Sequence, residues 1–223
     1  MASPIALNVD LDGTWFEGPV PFTTFFRLLT RRWSPPDEGR ELLEYIAPTR
    51  WDKRFFASQA RRHHAGRVPR VDAPEALKIF KQAAKERHRE LVTRVLSGRE
   101  LDKHELTKRA LEDFGHAGHF VELLLNEGKR AVVWKEGQNQ KQLEAGYTVV
   151  DLEDDFTAAW CEARLDPSKK GKMKLLVYLM KTAANSDWLL RWNGIDLPRN
   201  IVPVNSLTHA AHDFRARLAT HQI

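Results

Sequence analysis

Asp10 and Asp12 are the residues in this chain best placed for chemistry. They stand in Asp10-Leu11-Asp12-Gly13-Thr14, directly after the apolar run Ile5-Ala6-Leu7-Asn8-Val9. Such a run predicts a buried strand, and strand alternation puts the two carboxylates on one face. Gly13 lets the chain turn sharply just after them. Two carboxylates this close repel, so they need a cation or a shared proton. A hard, oxygen-seeking metal such as magnesium meets that need. A second acidic run, Asp151-Leu152-Glu153-Asp154-Asp155, leaves another strand-like segment. If both strands end at the same sheet edge, Glu153, Asp154 or Asp155 can complete a metal site begun by the first pair.

These groups need elements to hold them. Between them the chain reads as mostly helical. Helices are expected over Phe22–Trp33, Glu38–Ile46, Trp51–His64, Asp72–Leu96, Asp102–Phe114 and Ala117–Glu127. The Asp72–Leu96 helix rests on Leu77, Phe80, Ala84, Leu91 and Val95 at helical spacing, with Asp72 and Glu75 as a capping box. The texture changes near Lys129. Strands are expected over Arg130–Trp134, Tyr147–Leu152 and Asn200–Val204, and helices over Lys170–Ala184 and from Leu207 onward. Pro203 argues against a central place for the last strand. Helix, glycine, strand and helix in this order is the pattern of parallel α/β units.

Composition limits the classes. The chain has 223 residues, 42% hydrophobic and 29% charged, which suits one large domain or a core with an insertion. No apolar run approaches the ~20 residues of a membrane span. The opening MASPIALNVD lacks the basic region of a secretory signal, so a cytoplasmic protein is expected. Cys161 is the single cysteine, which excludes an intrachain disulfide, and beside Trp160 it reads as packing. The net charge of +5 is uneven: residues 27–70 hold eleven Lys/Arg against five Asp/Glu, and the remainder sums to −1. A basic face of this kind attracts phosphates, nucleic acid or an acidic protein.

The Ile5–Thr14 stretch resembles the first motif of the haloacid dehalogenase-like superfamily of phosphohydrolases, an apolar strand running into Asp-x-Asp-Gly-Thr. The resemblance implies an α/β fold, with a Rossmann-like parallel sheet core and a large helical insertion, or cap. The core would be residues 1–15 and 119–223 and the cap residues 16–118. Asp10 would be the nucleophile and Asp12 the general acid/base. Mg2+ would be held by Asp10, Asp12, Asp154 and Asp155. Lys172, at a lysine-rich helix entrance, would be the catalytic lysine. A phosphorylated or polyanionic substrate would contact Gly13, Thr14 and Lys135, and Arg54, Arg61 and Arg62 from the cap.

Two later motifs depart from the superfamily pattern. The expected second strand ends Val133-Trp134-Lys135, without the Ser or Thr that binds phosphoryl oxygens. After the last strand, Asn205 and His209 stand where metal-holding acids are expected, although Asn205 or Ser206 also suits a helix N-cap. The chain is therefore expected to be a magnesium-dependent phosphohydrolase or phosphotransferase acting on an anionic substrate. The competing reading is a non-catalytic protein that binds a protein or nucleic acid partner. Its contact surface would be the basic, aromatic-rich stretch Arg50–Arg70.

Overall fold

Six apolar runs pair side by side into one sheet, all neighbours parallel, in the order β3-β2-β1-β4-β5-β6. The computed structural model describes residues 2–18, 22–34, 68–129, 131–166 and 171–223. In chain order the elements are β1 (Ile5–Val9), α1 (Phe22–Leu29), α2 (Ala73–Glu86), β2 (Leu91–Glu100), α3 (His104–Asp113), β3 (Glu122–Asn126), α4 (Ala131–Glu144), β4 (Thr148–Glu153), α5 (Phe156–Ala163), β5 (Leu175–Met180), α6 (Asp187–Trp192), β6 (Ile201–Val204) and α7 (Leu207–Ala219). Short 3-10 turns fill Leu101–Lys103, Ala117–His119 and Ala183–Asn185. This is the α/β, Rossmann-like parallel sheet expected from the sequence.

Alternation along each strand divides the core into two layers. Ile5, Leu7 and Val9 of β1, Val150 and Leu152 of β4, and Tyr178 and Met180 of β5 face α2 and α7, where they pack on Leu77, Phe80, Phe214 and Leu218. Val149, Leu175, Val177 and Leu179 face the other way, onto Phe156, Ala159, Leu189 and Leu28. Burying a Leu or Phe side chain is worth roughly 1.5–3 kcal/mol, so these two layers carry the fold. Both central strands are buried along their whole length, as parallel strands covered by helices on both faces must be.

Several expected elements differ. Leu91–Glu100 is a strand, not the end of the preceding helix; Arg87 caps α2 and the chain turns at His88. Glu122–Asn126 is an edge strand within the expected Ala117–Glu127 helix. Ala131–Trp134 opens α4 and is no strand; β2 takes the place beside β1 that this segment was expected to fill. Leu175–Met180 is a buried strand within the expected Lys170–Ala184 helix. The core boundary moves with them. Residues 73–118, expected in the cap, supply α2, β2 and α3 to the core. The Glu38–Ile46 and Trp51–His64 helices fall outside the described residues. So do Arg54, Arg61, Arg62 and most of the basic stretch Arg50–Arg70. β6 is an edge strand, which suits Pro203. Among the described residues no helix is long and apolar enough to cross a membrane.

Candidate functional site

The strand order reverses between β1 and β4, because the chain grows outward from β1 to β3 and then returns to add β4, β5 and β6 on the other side. Sheets of this kind leave a crevice at the carboxyl ends of the two strands that flank the reversal. Asp10 follows β1 and Asp154 follows β4, so both lie at that crevice. Asn8 pairs in register with Asp151. Period-two alternation then puts Asn8 and Asp10 of one strand on the same face as Asp151 and Glu153 of the other.

α4 covers that face. Lys135, Asn139 and Gln142 recur at helical spacing and all three are buried. Lys135 Nζ donates to Asp10 Oδ1 at 2.8 Å and also to Glu153 Oε2. Deeper along the helix, Asn139 Nδ2 donates to Asp151 Oδ2 at 2.5 Å, and Asn8 Nδ2 donates to Asn139 Oδ1 and to Gln142 Oε1 at 2.9 Å each. The helix therefore turns a polar stripe toward the sheet because the sheet presents carboxylates there.

Among the described residues, Asp10, Glu153 and Asp154 form a group whose carboxylate oxygens lie within 4.8 Å of one another, all buried. Burial raises the Asp10 carboxyl to about 6; Lys135 and Arg99 oppose the rise and Glu153 adds to it. Asp154 is raised well above the ordinary range, first by burial and then by Glu153, Asp10 and Asp155. Lys135 is held firmly protonated: burial works against its charge, but Asp10, Glu153 and Glu162 outweigh it. Three carboxyl groups face one ammonium, so ionising all three leaves a negative excess, and every donor is a hard oxygen. That set suits a small divalent cation such as Mg2+.

The loop after β1 is tightly built. Trp15 N donates to Asp10 O at 3.2 Å, Phe16 N to Leu11 O at 2.8 Å and Gly13 N to Phe16 O at 3.0 Å. Arg70 ties it from outside, donating to the carbonyls of Gly13 at 2.7 Å and Thr14 at 2.9 Å. Gly13 has φ +86°, and a Cβ there would stand 2.0 Å from Asp154 Oδ2. The Asp154 carboxylate thus lies directly over the glycine. Asn185 holds the backbone beneath it, donating to Asp154 O at 3.0 Å and Met180 O at 2.9 Å.

The other expected residues separate. Asp12 does not share the Asp10 cluster; its two oxygens meet Arg99 at 2.6 and 3.0 Å. Asp155 is not in the carboxylate group either. It caps α5, accepting from Thr157 N at 2.7 Å and from Thr24 Oγ1 of α1 at 3.1 Å. Thr14 is buried, and its Oγ1 has no hydrogen-bond partner among the described residues. Lys172 is exposed and precedes β5, at the amino end of the sheet. A six-residue strand, at about 3.3 Å per residue, sets it roughly 20 Å from the carboxyl edge. Lys135 holds the position that Lys172 was expected to take. Glu153 ends β4 and Asp154 and Asp155 follow it, whereas Asn205 follows β6. Ser206 is the N-cap of α7, accepting from His209 N at 3.0 Å.

Two residues were missed. Ser97 lies near the carboxyl end of β2, where the register with β3 shifts, and is buried, two positions beyond the partner of Val9. Arg99 follows it; burial lowers its pKa to about 10, against the pull of Asp10. The signal was present in Val92-Thr93-Arg94-Val95-Leu96-Ser97-Gly98, a β-branched run closed by Ser-Gly, after the polar break Arg87-His88-Arg89-Glu90. Cys161 is buried and its thiol is pushed up to about 12, so it is inert packing.

No protein-family model and no curated protein matches the chain. Solved structures do. A haloacid dehalogenase-like family hydrolase from Streptococcus pneumoniae superposes with a TM-score of 0.53 at 9% identity, over 96% of this chain and 100% of that one. Protein tyrosine kinase A of Mycobacterium tuberculosis gives 0.52 at 16% identity, over 97% and 98%. CbbY from Rhodobacter sphaeroides, in complex with phosphate, gives 0.51 at 12% identity, over 93% and 98%. The chain has a haloacid dehalogenase-like fold.

Proposed function

We propose that the chain is a magnesium-dependent phosphohydrolase or phosphotransferase acting on a phosphorylated, anionic substrate. The observation that carries this reading is the convergence of Asp10, Glu153 and Asp154 around one point, with Lys135 bonded to two of them. Asp10, Glu153 and Asp154 are the residues that would hold Mg2+, in place of the Asp10, Asp12, Asp154 and Asp155 set expected from the sequence. When bound, the cation would offset charge on the carboxylates and on the phosphoryl group.

Asp10 supplies the nucleophile. Lys135 donates to Oδ1, which orients the carboxylate and leaves Oδ2 to attack phosphorus in line. As the Asp10–phosphorus bond forms, the bond from phosphorus to the leaving oxygen breaks, and Asp12 gives that oxygen a proton. Water then attacks phosphorus, Asp12 takes the water's proton, and the Asp10–phosphorus bond breaks; an acceptor alcohol in place of water gives phosphotransfer. Ser97 stands at the same sheet edge, where its hydroxyl can donate to a phosphoryl oxygen. Burial keeps bulk water from competing for the carboxylates.

The test is phosphate release from small phosphate esters by wild type and Asp10→Asn, with magnesium and with chelator. Turnover that needs magnesium, disappears in the variant and leaves a trappable acyl phosphate on Asp10 is the expected result. Turnover unchanged in Asp10→Asn would sink the reading.

A further inference from the structure

Resting on that reading, we propose that Arg99 is the positioning residue for the acid/base carboxylate of Asp12, and that it makes the site competent for poor, alkoxide-type leaving groups. The backbone of Asp12 is fixed by the turn and by its bridge to Phe16. Its side chain is a different matter. The χ2 torsion of an aspartate has a broad, roughly two-fold range, and this carboxylate is 34% exposed. Arg99 fixes the plane: Nε meets Oδ2 at 3.0 Å and Nη2 meets Oδ1 at 2.6 Å. This is the paired fork geometry in which a guanidinium sets the orientation of a carboxylate as well as its charge.

The guanidinium is itself held from behind. Nη1 donates to Thr107 Oγ1 at 3.1 Å, and Thr107 is fully buried on α3. The Arg99 side chain is only 8% exposed. Arg99 is thus a fixed wall against which the more exposed Asp12 rests. The fork uses one lone pair on each carboxylate oxygen, and a carboxylate offers about four acceptor sites.

The clamp matches Asp12 as a carboxylate, the form it takes when its proton has gone to the leaving oxygen. Arg99 therefore stabilises the state that proton donation creates. Its effect should scale with how much the leaving oxygen needs that proton. An alkyl phosphate needs it fully; p-nitrophenyl phosphate, which departs as a stable phenolate, scarcely does.

The experiment compares kcat and KM for an alkyl phosphate and for p-nitrophenyl phosphate in wild type, Arg99→Lys, Arg99→Gln, Thr107→Val and Asp12→Asn. Arg99→Lys keeps the charge but loses the fork. It should lower kcat on the alkyl ester by about 100-fold or more, within the range of general acid catalysis, and on p-nitrophenyl phosphate by less than about tenfold. KM should hold for both esters. Thr107→Val, which removes only the strut, should show the same selectivity in smaller measure. Combining Arg99→Lys with Asp12→Asn should cost little more than Asp12→Asn alone. Equal losses on the two esters, or none, would overturn the role of Arg99 while leaving the phosphatase reading intact. If wild type turns over neither ester with magnesium, the phosphatase reading falls and this proposal falls with it. Melting curves and magnesium titrations on each variant keep misfolding apart: an Arg99→Lys protein that melts and binds as wild type yet shows no selectivity also overturns it.

Discussion

Raising the pH from 5 to 7.5 should destabilise the metal-free protein, and magnesium should reverse the loss. Burial holds the Asp10 carboxyl at about 6 against an ordinary 3.8, and the Asp151 carboxyl at about 7. The folded protein therefore keeps protons that the unfolded chain has released. Stability is unpenalised below about 3.8 and falls as pH climbs through the folded values. For Asp10 alone, the whole move from 3.8 to about 6 amounts to about 3 kcal/mol, of which about one pH unit, ~1.4 kcal/mol, falls between pH 5 and 7.5. In a domain of this size that part is ~3–6 °C in melting temperature, and Asp151 acts in the same direction. Lys135 does not enter this window, since its raised pKa matters only above 10.5. Magnesium requires its ligands ionised, so its stabilising shift should be larger at pH 7.5 than at pH 5. The assay is thermal unfolding by circular dichroism at both pH values, with chelator and with millimolar magnesium, and Asp10→Asn as control. The control should lose part of the pH dependence and most of the magnesium shift. A metal-free melting temperature that is level or rising from pH 5 to 7.5, or a magnesium shift equal at both, would refute the reasoning.

Two substitutions probe the same centre. Gly13→Ala places a Cβ 2.0 Å from Asp154 Oδ2 at a backbone φ of +86°. It should cost about 1–3 kcal/mol in backbone strain, and by displacing a ligand should weaken magnesium binding by 10- to 100-fold; an unchanged calorimetric titration would contradict the placement of Asp154. Lys135→Met removes the buried ammonium between Asp10 and Glu153. Leaving those charges unpaired should cost about 3–5 kcal/mol in urea unfolding at pH 7.5, and less at pH 5, where Asp10 is protonated. A variant as stable as wild type at pH 7.5 would show that Lys135 does not balance them.

The strands flanking the crevice were legible because each carries its own punctuation. Ile5–Val9 is a closed apolar run that stops at Asp10 and Gly13, and Thr148–Glu153 is β-branched after Gly146. β5 was not legible. Leu-Leu-Val-Tyr-Leu-Met is buried on both faces, so every position is apolar and no period of two remains. Met173, Leu176, Val177 and Met180 then fit helical spacing as well as any helix would. β2 was lost for a related reason. Leu91 and Val95 continue the spacing of α2 across a turn at His88, whose positive φ of 52° leaves no mark in hydrophobic periodicity.

The misplaced lysine has a deeper cause, and it follows from the site itself. A helix packed on a sheet is expected to bury an apolar stripe. α4 buries Lys135, Asn139 and Gln142 as well, because opposite it β1 and β4 present Asn8, Asp10, Asp151 and Glu153. Each polar atom so buried needs a partner, and the partners are on strands more than a hundred residues apart or on the far side of a turn. Neither half of the arrangement makes sense without the other. Read alone, the α4 segment opens with a β-like Ala-Val-Val-Trp and continues as a polar helix with no apolar face, so its lysine carries no sign of burial. Lys172, beside a lysine-rich, helix-like entrance, carried a local sign and no partner. The buried lysine of this fold is thus found by following the carboxylates, since only unbalanced negative charge in the core makes a lysine there favourable.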